Sequence, residues 1–101
     1  MEEKNKQLKE TSNMEIAQLK AIEYLGYDAK LYVSSRKNKK YMIYDPNIDK
    51  FIHFGDIRYK DFTYTGDNVK RRNYLQRSAN IKGNWKDNLY SPNNLSINIL
   101  W

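Results

Sequence analysis

The residues best equipped for chemistry gather in the middle of the chain. His53, the only histidine, is followed by Asp56, Asp61 and Asp67. A small metal-dependent nuclease would need carboxylates like these clustered around an open metal position. Turns and a helix cap already account for all three, and one histidine cannot form a multi-histidine site. The chain has no cysteine, which excludes disulfide scaffolds and thiolate metal sites. It also has no glycine-rich phosphate loop, dinucleotide fingerprint, zinc metallopeptidase motif or calcium loop. Serines and tyrosines are plentiful, but none has a recognisable acid–base partner. The expectation is a protein that is not an enzyme, with no catalytic residue, no metal ligand and no cofactor.

The stronger chemical signal is cationic. The formal net charge is +6, and it is unevenly spread. Residues 1–28 carry four lysines against six carboxylates, whereas everything after them is basic. Such a field steers polyanions. Arg36, Lys37, Lys39 and Lys40 crowd into a polar loop, where like charges repel unless they face solvent or a polyanion. Arg58 follows, and then Lys70, Arg71 and Arg77. These eight are the candidate nucleic-acid contacts, as phosphate binders. Lys70, Tyr74 and Arg77 share one helical face, whereas Arg71 and Arg72 lie on others. Cations that ring a helix argue against major-groove reading and for weak sequence specificity with strong salt dependence. Some arginines are expected to pair internally with Asp56, Asp61 or Asp67.

Aromatic residues are interleaved with this charge. Tyr59, Phe62 and Tyr64 suit a compact loop with buried rings, and they suit equally a surface that stacks on bases. Tyr59, Tyr74, Trp85, Leu95 and Trp101 are the candidate interface residues, because large amphipathic rings make good anchors.

The elements that must position these residues read as α+β. Residues 1–11 are polar and expected to form a flexible N-terminal tail, and residues 12–101 a single basic domain. Ser12 and Glu15 have capping-box spacing. A dense apolar helix runs from Met14 to Leu25, with Gly26 as a left-handed C-cap. Ala29–Ser34 and Tyr41–Tyr44 form a hairpin around the 36–40 loop. Asp45-Pro46-Asn47 makes a turn, and a third strand ends at Gly55. Three antiparallel strands with a helix across one face make the smallest sheet expected to stand alone. Asp67 caps a helix through Ala79, and Trp85 should plug the core. Ser91-Pro92 starts a short terminal helix, although Leu95, Ile97, Ile99 and Trp101 also alternate as a strand would. The fold class is a small antiparallel sheet of about three strands, with an N-terminal helix and one or two C-terminal helices. No long apolar run exists and the N-terminus is charged, so the expectation is an intracellular protein with no membrane contact.

The run Ile52-His53-Phe54-Gly55-Asp56, then Tyr59-Lys60-Asp61-Phe62-Thr63, Asp67, Arg71-Arg72 and Tyr74-Leu75-Gln76-Arg77, resembles a family of small uncharacterised basic proteins encoded by large double-stranded DNA viruses and some phages. The likeness continues through Trp85, Tyr90-Ser91, Leu95-Ser96 and Leu100-Trp101, covering residues 39–101. Thr65 and Ser78 stand where members of that family carry histidines, which removes any shared histidine-centred scheme. The resemblance implies a viral protein, intracellular in the infected host and a candidate for packaging in the virion. The expected function is a virus-encoded nucleic-acid-associated accessory protein. The main alternative is a virion structural or assembly protein with a viral protein or homo-oligomeric partner, and the minor one is the nuclease.

Overall fold

The computed structural model describes residues 2–101. Its frame is an antiparallel sheet of β1 (Leu31–Val33), β2 (Lys39–Asp45) and β3 (Lys50–Asp56), in that order. Tyr41 faces Phe54, and Ile43 faces both Leu31 and Ile52. Side chains alternate along strands, so one face carries Leu31, Tyr41, Ile43 and Phe54 into the core. On the other face Phe51 meets Tyr32 and Tyr44 edge-on, each at 5.7 Å, and all three stay partly exposed. Such cross-strand aromatic contacts stiffen a small sheet. The Asp45 carboxylate accepts the Asn47 N–H at 2.9 Å to form the β2–β3 turn.

Within the segment expected to form a tail, residues 2–9 are helical. α1 (Glu2–Lys9) buries Leu8, and Lys4 Nζ donates to the carbonyls of Ser34 and Arg36, which pins α1 to the β1–β2 hairpin. α2 (Met14–Leu25) then packs on the 96–100 segment and beside β1, with fully buried Ala17 and Ala21. Its cap is Asn13, which accepts the Ile16 N–H at 3.2 Å, not the expected Ser12. The Ser12 hydroxyl is recruited into the interior. Gly26 donates its N–H to Ile22, but at φ 120 and ψ 166 it lies outside the left-handed helical region expected of it.

After β3 come α3 (Phe62–Thr65), α4 (Asn68–Ala79) and α5 (Pro92–Leu95), which runs into a π-helical turn over Ser96–Leu100. Asp67 caps α4 as its residue type predicts, accepting N–H groups from Val69 and Lys70. Ser91 caps α5, with Pro92 in its first turn. The terminal segment is therefore helical, and Leu95, Ile99 and Leu100 enter the core. Gly55 does not end β3 but lets it pass, at φ +81. A β-carbon there would sit 2.8 Å from Leu100 Cδ1 and 3.1 Å from Lys40 Cβ. Among the described residues, no helix is long and apolar enough to cross a membrane.

Candidate nucleic-acid interface

Lys40 is not a loop cation. It belongs to β2, is 2 % exposed, and pairs at 2.9 Å with Asp61, which is fully buried. It cannot contact phosphate from there, so its assignment as a nucleic-acid contact is corrected. Its amine also donates to the Tyr59 carbonyl at 2.5 Å and the Thr11 carbonyl at 3.4 Å. Burial holds the amine below its ordinary pKa, against the pull of Asp61. A directional chain completes the network: the Tyr41 hydroxyl donates to Ser12, Ser12 meets Thr63 at 3.1 Å, and Thr63 donates to Asp61. Burial pushes the Tyr41 phenol up to about 12. Buried polar groups persist when every member is partnered. This one fastens α2, the sheet and the 57–61 loop together.

Beside that network opens a groove of about 1220 Å³. Lys39, Arg58, Tyr59 and Lys60 line it from the sheet side, and Lys70, Asn73, Tyr74 and Arg77 line it from α4. The α4 residues follow helical spacing, so one face of that helix supplies them all. Buried Ser78, Ser96 and Leu100 form its base. Trp101 lies in the groove, stacked on Tyr74 with centroids 4.3 Å apart and planes 9° from parallel. Arg71 Nε donates to the Trp101 carbonyl at 2.6 Å, while its guanidinium lies 5.5 Å above the Phe62 ring.

Two ion pairs occur among the described residues, Lys40–Asp61 and Arg58–Asp56. Neither involves Lys39, Lys60, Lys70 or Arg77, and Asp56, which also lines the groove and is the strand partner of Lys39, is bonded to Arg58, so cations outnumber carboxylates there. Arg58 grips Asp56 through two bonds, of 3.0 and 2.8 Å, and holds that carboxyl below its usual range. Its guanidinium also sits 5.4 Å over the Tyr59 ring.

The structure brings Lys39, Arg58, Lys70 and Arg77 together with Tyr59, Tyr74 and Trp101. Arg36 and Lys37 are exposed in the β1–β2 connection, outside the groove, and Arg71 is committed to holding Trp101. Leu95 is fully buried, so it belongs to the core and cannot be an interface residue. Trp85 is half-buried rather than a core plug, donating its indole N–H to the Ile81 carbonyl at 2.8 Å. Sequence reasoning missed Lys60 and Asn73. Asn73 had a signal, since it lies between Lys70 and Arg77 on the same helical face. Lys60 had none, because only the turn after β3 aims it.

The four candidate metal ligands are dispersed into other work. His53 Nδ1 lies 2.6 Å from the Ser34 hydroxyl, and burial followed by the charges of Arg36, Lys4 and Lys39 lowers its pKa. Asp56 holds Arg58, Asp61 holds Lys40, and Asp67 caps α4. Among the described residues, no three histidine or carboxylate side chains gather so as to hold a metal.

Residues 29–78 match the model of a family described as a family of unknown function (DUF5754). That match spans the sheet, α3 and most of α4, hence every cation of the groove, but not Trp101. No curated protein and no solved structure matches the chain.

Proposed function

We propose that this protein is a nucleic-acid-associated accessory protein that grips the phosphate backbone in the groove between the sheet end and α4. One observation carries the reading: Lys39, Arg58, Lys60, Lys70 and Arg77 line a single concavity with one carboxylate, Asp56, which is bonded to Arg58 and also feels the charge of Lys39, so positive charge is in excess there. Cations gathered at the cost of mutual repulsion are stabilised when a polyanion arrives. The resemblance of residues 39–101 supports a viral origin, with action inside the infected cell and packaging in the particle as its extension.

Phosphate contacts release counterions, so affinity should fall steeply with salt. If Lys39, Lys60, Lys70 and Arg77 each meet one phosphate of a single strand, log K against log salt has a slope of about −3. Fluorescence anisotropy of labelled DNA and RNA across a salt series measures it. A slope near zero, or no binding at low salt, would remove the phosphate mechanism.

A second reading, protein assembly, has its own observation. Leu19 and Tyr27 are 62 % and 92 % exposed and, with Met14, line a shallow apolar surface between α2 and β1. Concentration-dependent sedimentation of the free protein, abolished by Leu19→Ser, would favour that reading.

A further inference from the structure

We infer that the groove takes an unpaired strand, whose bases stack on Tyr59 and against the Tyr74–Trp101 pair while the cations hold its phosphates. This rests on the nucleic-acid reading of the same groove and adds the class of polymer.

Shape is the first argument. Lys70 and Arg77 lie in a concavity, faced by Lys39, Arg58 and Lys60 across it. A helix that reads duplex DNA must protrude into a major groove about 12 Å wide. The α4 face that carries the cations has Trp101 stacked on Tyr74 at its centre and shares its concavity with Arg58, Tyr59 and Lys60 of the 57–61 loop, a shape that favours a thin strand over a protruding reading helix. A single strand is thin and flexible enough to follow the cations.

Ring chemistry is the second argument. Charge alone would be served by a groove without aromatics, yet three rings share this one with the cations. Tyr59 is 62 % exposed although its backbone is fixed: its carbonyl accepts Lys40 Nζ, and its N–H donates to the Asp56 carbonyl at 3.2 Å. Arg58 covers one side of the ring, leaving the other for a base. Tyr74 and Trp101 already form a parallel two-ring step, and Arg71 holds the Trp101 backbone in place. A base added to that step continues a stack whose first members are ordered in advance. Stacking of this kind is tolerant of sequence, since every base has a π-face. Among the side-chain amides that line the groove, Asn93 donates to the Ser78 carbonyl, which leaves Asn73 as the amide available to a base edge.

The test compares four ligands at one low salt concentration: a short oligothymidylate, its RNA counterpart, a duplex of equal length, and inorganic polyphosphate. Anisotropy or competition gives affinities for the wild type, Tyr59→Ala and Tyr59→Phe. In a Trp85→Phe background, Trp101 is the sole reporter of stacking by fluorescence. The expected result is single-strand binding at least about tenfold tighter than duplex, with quenching of Trp101. Tyr59→Ala should weaken it by about 5- to 150-fold, the equivalent of one lost stack, and Tyr59→Phe should restore it. Tyr59 is exposed enough that its truncation leaves the core intact, so the outcome does not hinge on the Trp85 variant folding. Duplex binding as tight as single strand, or Tyr59→Ala without effect, would overturn the stacking while leaving the phosphate groove standing. Absence of binding to all four polyanions would instead overturn the groove reading itself.

Discussion

Lys40 and Asp61 meet at 2.9 Å with 2 % and 0 % of their side chains exposed, whereas Arg58 and Asp56 meet at 2.8 Å with 69 % and 38 % exposed. The two pairs flank the same loop and have nearly the same length, yet they do different jobs. Removing a charge from water is costly, so a buried pair must be complete, and breaking it leaves the other charge stranded. The outer pair stays hydrated and adds little to folding. It keeps a guanidinium beside Tyr59, at the lip of the groove. Interior charge thus fixes the loop, and surface charge remains available to a partner.

The largest effect should come from breaking the inner pair. Asp61→Ala strands Lys40 and removes the acceptor for Thr63, so it should destabilise by about 3–5 kcal/mol in denaturant unfolding. The double variant Lys40→Met/Asp61→Ala should recover part of that loss, because the stranded charge is gone. If the double variant is no better than the single, the hydrogen bonds rather than the charge carry the effect. Next in size, Gly55→Ala forces a side chain into a positive-φ site and against Leu100, costing roughly 1–3 kcal/mol in the same assay. Arg58→Ala, at the outer pair, should leave the unfolding midpoint unchanged and weaken nucleic-acid binding in anisotropy. A large loss of stability there would erase the distinction between the two pairs.

Alkaline titration sharpens the comparison further. Burial places the Tyr41 phenol at about 12 in the folded state against 10 unfolded. Between those values the unfolded chain gives up this proton and the folded one keeps it, so stability falls as pH rises from 10 to 12. Lys40 acts in the opposite sense. Its folded pKa lies below 10.5, so the burial penalty is relieved as pH climbs toward that value. Urea midpoints across this range should rise or hold and then drop, and Tyr41→Phe should flatten the drop. The smallest expected effect is at His53, whose pKa should fall below 6.5 by NMR titration and move back up when Arg36 is replaced by Gln.

Local physics made much of the fold legible. The hairpin, the Asp67 cap with α4 behind it, and the Ser91-Pro92 start of α5 each depend on a few neighbouring residues. Lys40 was not legible, because placing it in strand or loop required knowing where the β1–β2 connection ends. Its partner Asp61 lies 21 residues on, a distance no local pattern spans. Leu95 and Trp101 share one alternating pattern, and only helical packing sends the first into the core and the second onto Tyr74. In the groove, the 70, 74 and 77 spacing was visible on α4. Its meeting with Lys39, Arg58 and Lys60 was not, since the sheet and the turn after β3 set it.

The central claim is that the groove, rather than the exposed β1–β2 connection, carries the partner's phosphates. Anisotropy with one labelled single strand should compare Lys70→Glu/Arg77→Glu with Arg36→Glu/Lys37→Glu, each checked for an unchanged thermal midpoint. The groove pair should lose most of the affinity and flatten the salt dependence, while the β1–β2 pair should keep binding within a few-fold of wild type. Loss of binding in the β1–β2 pair, with the groove pair unaffected, would contradict the account.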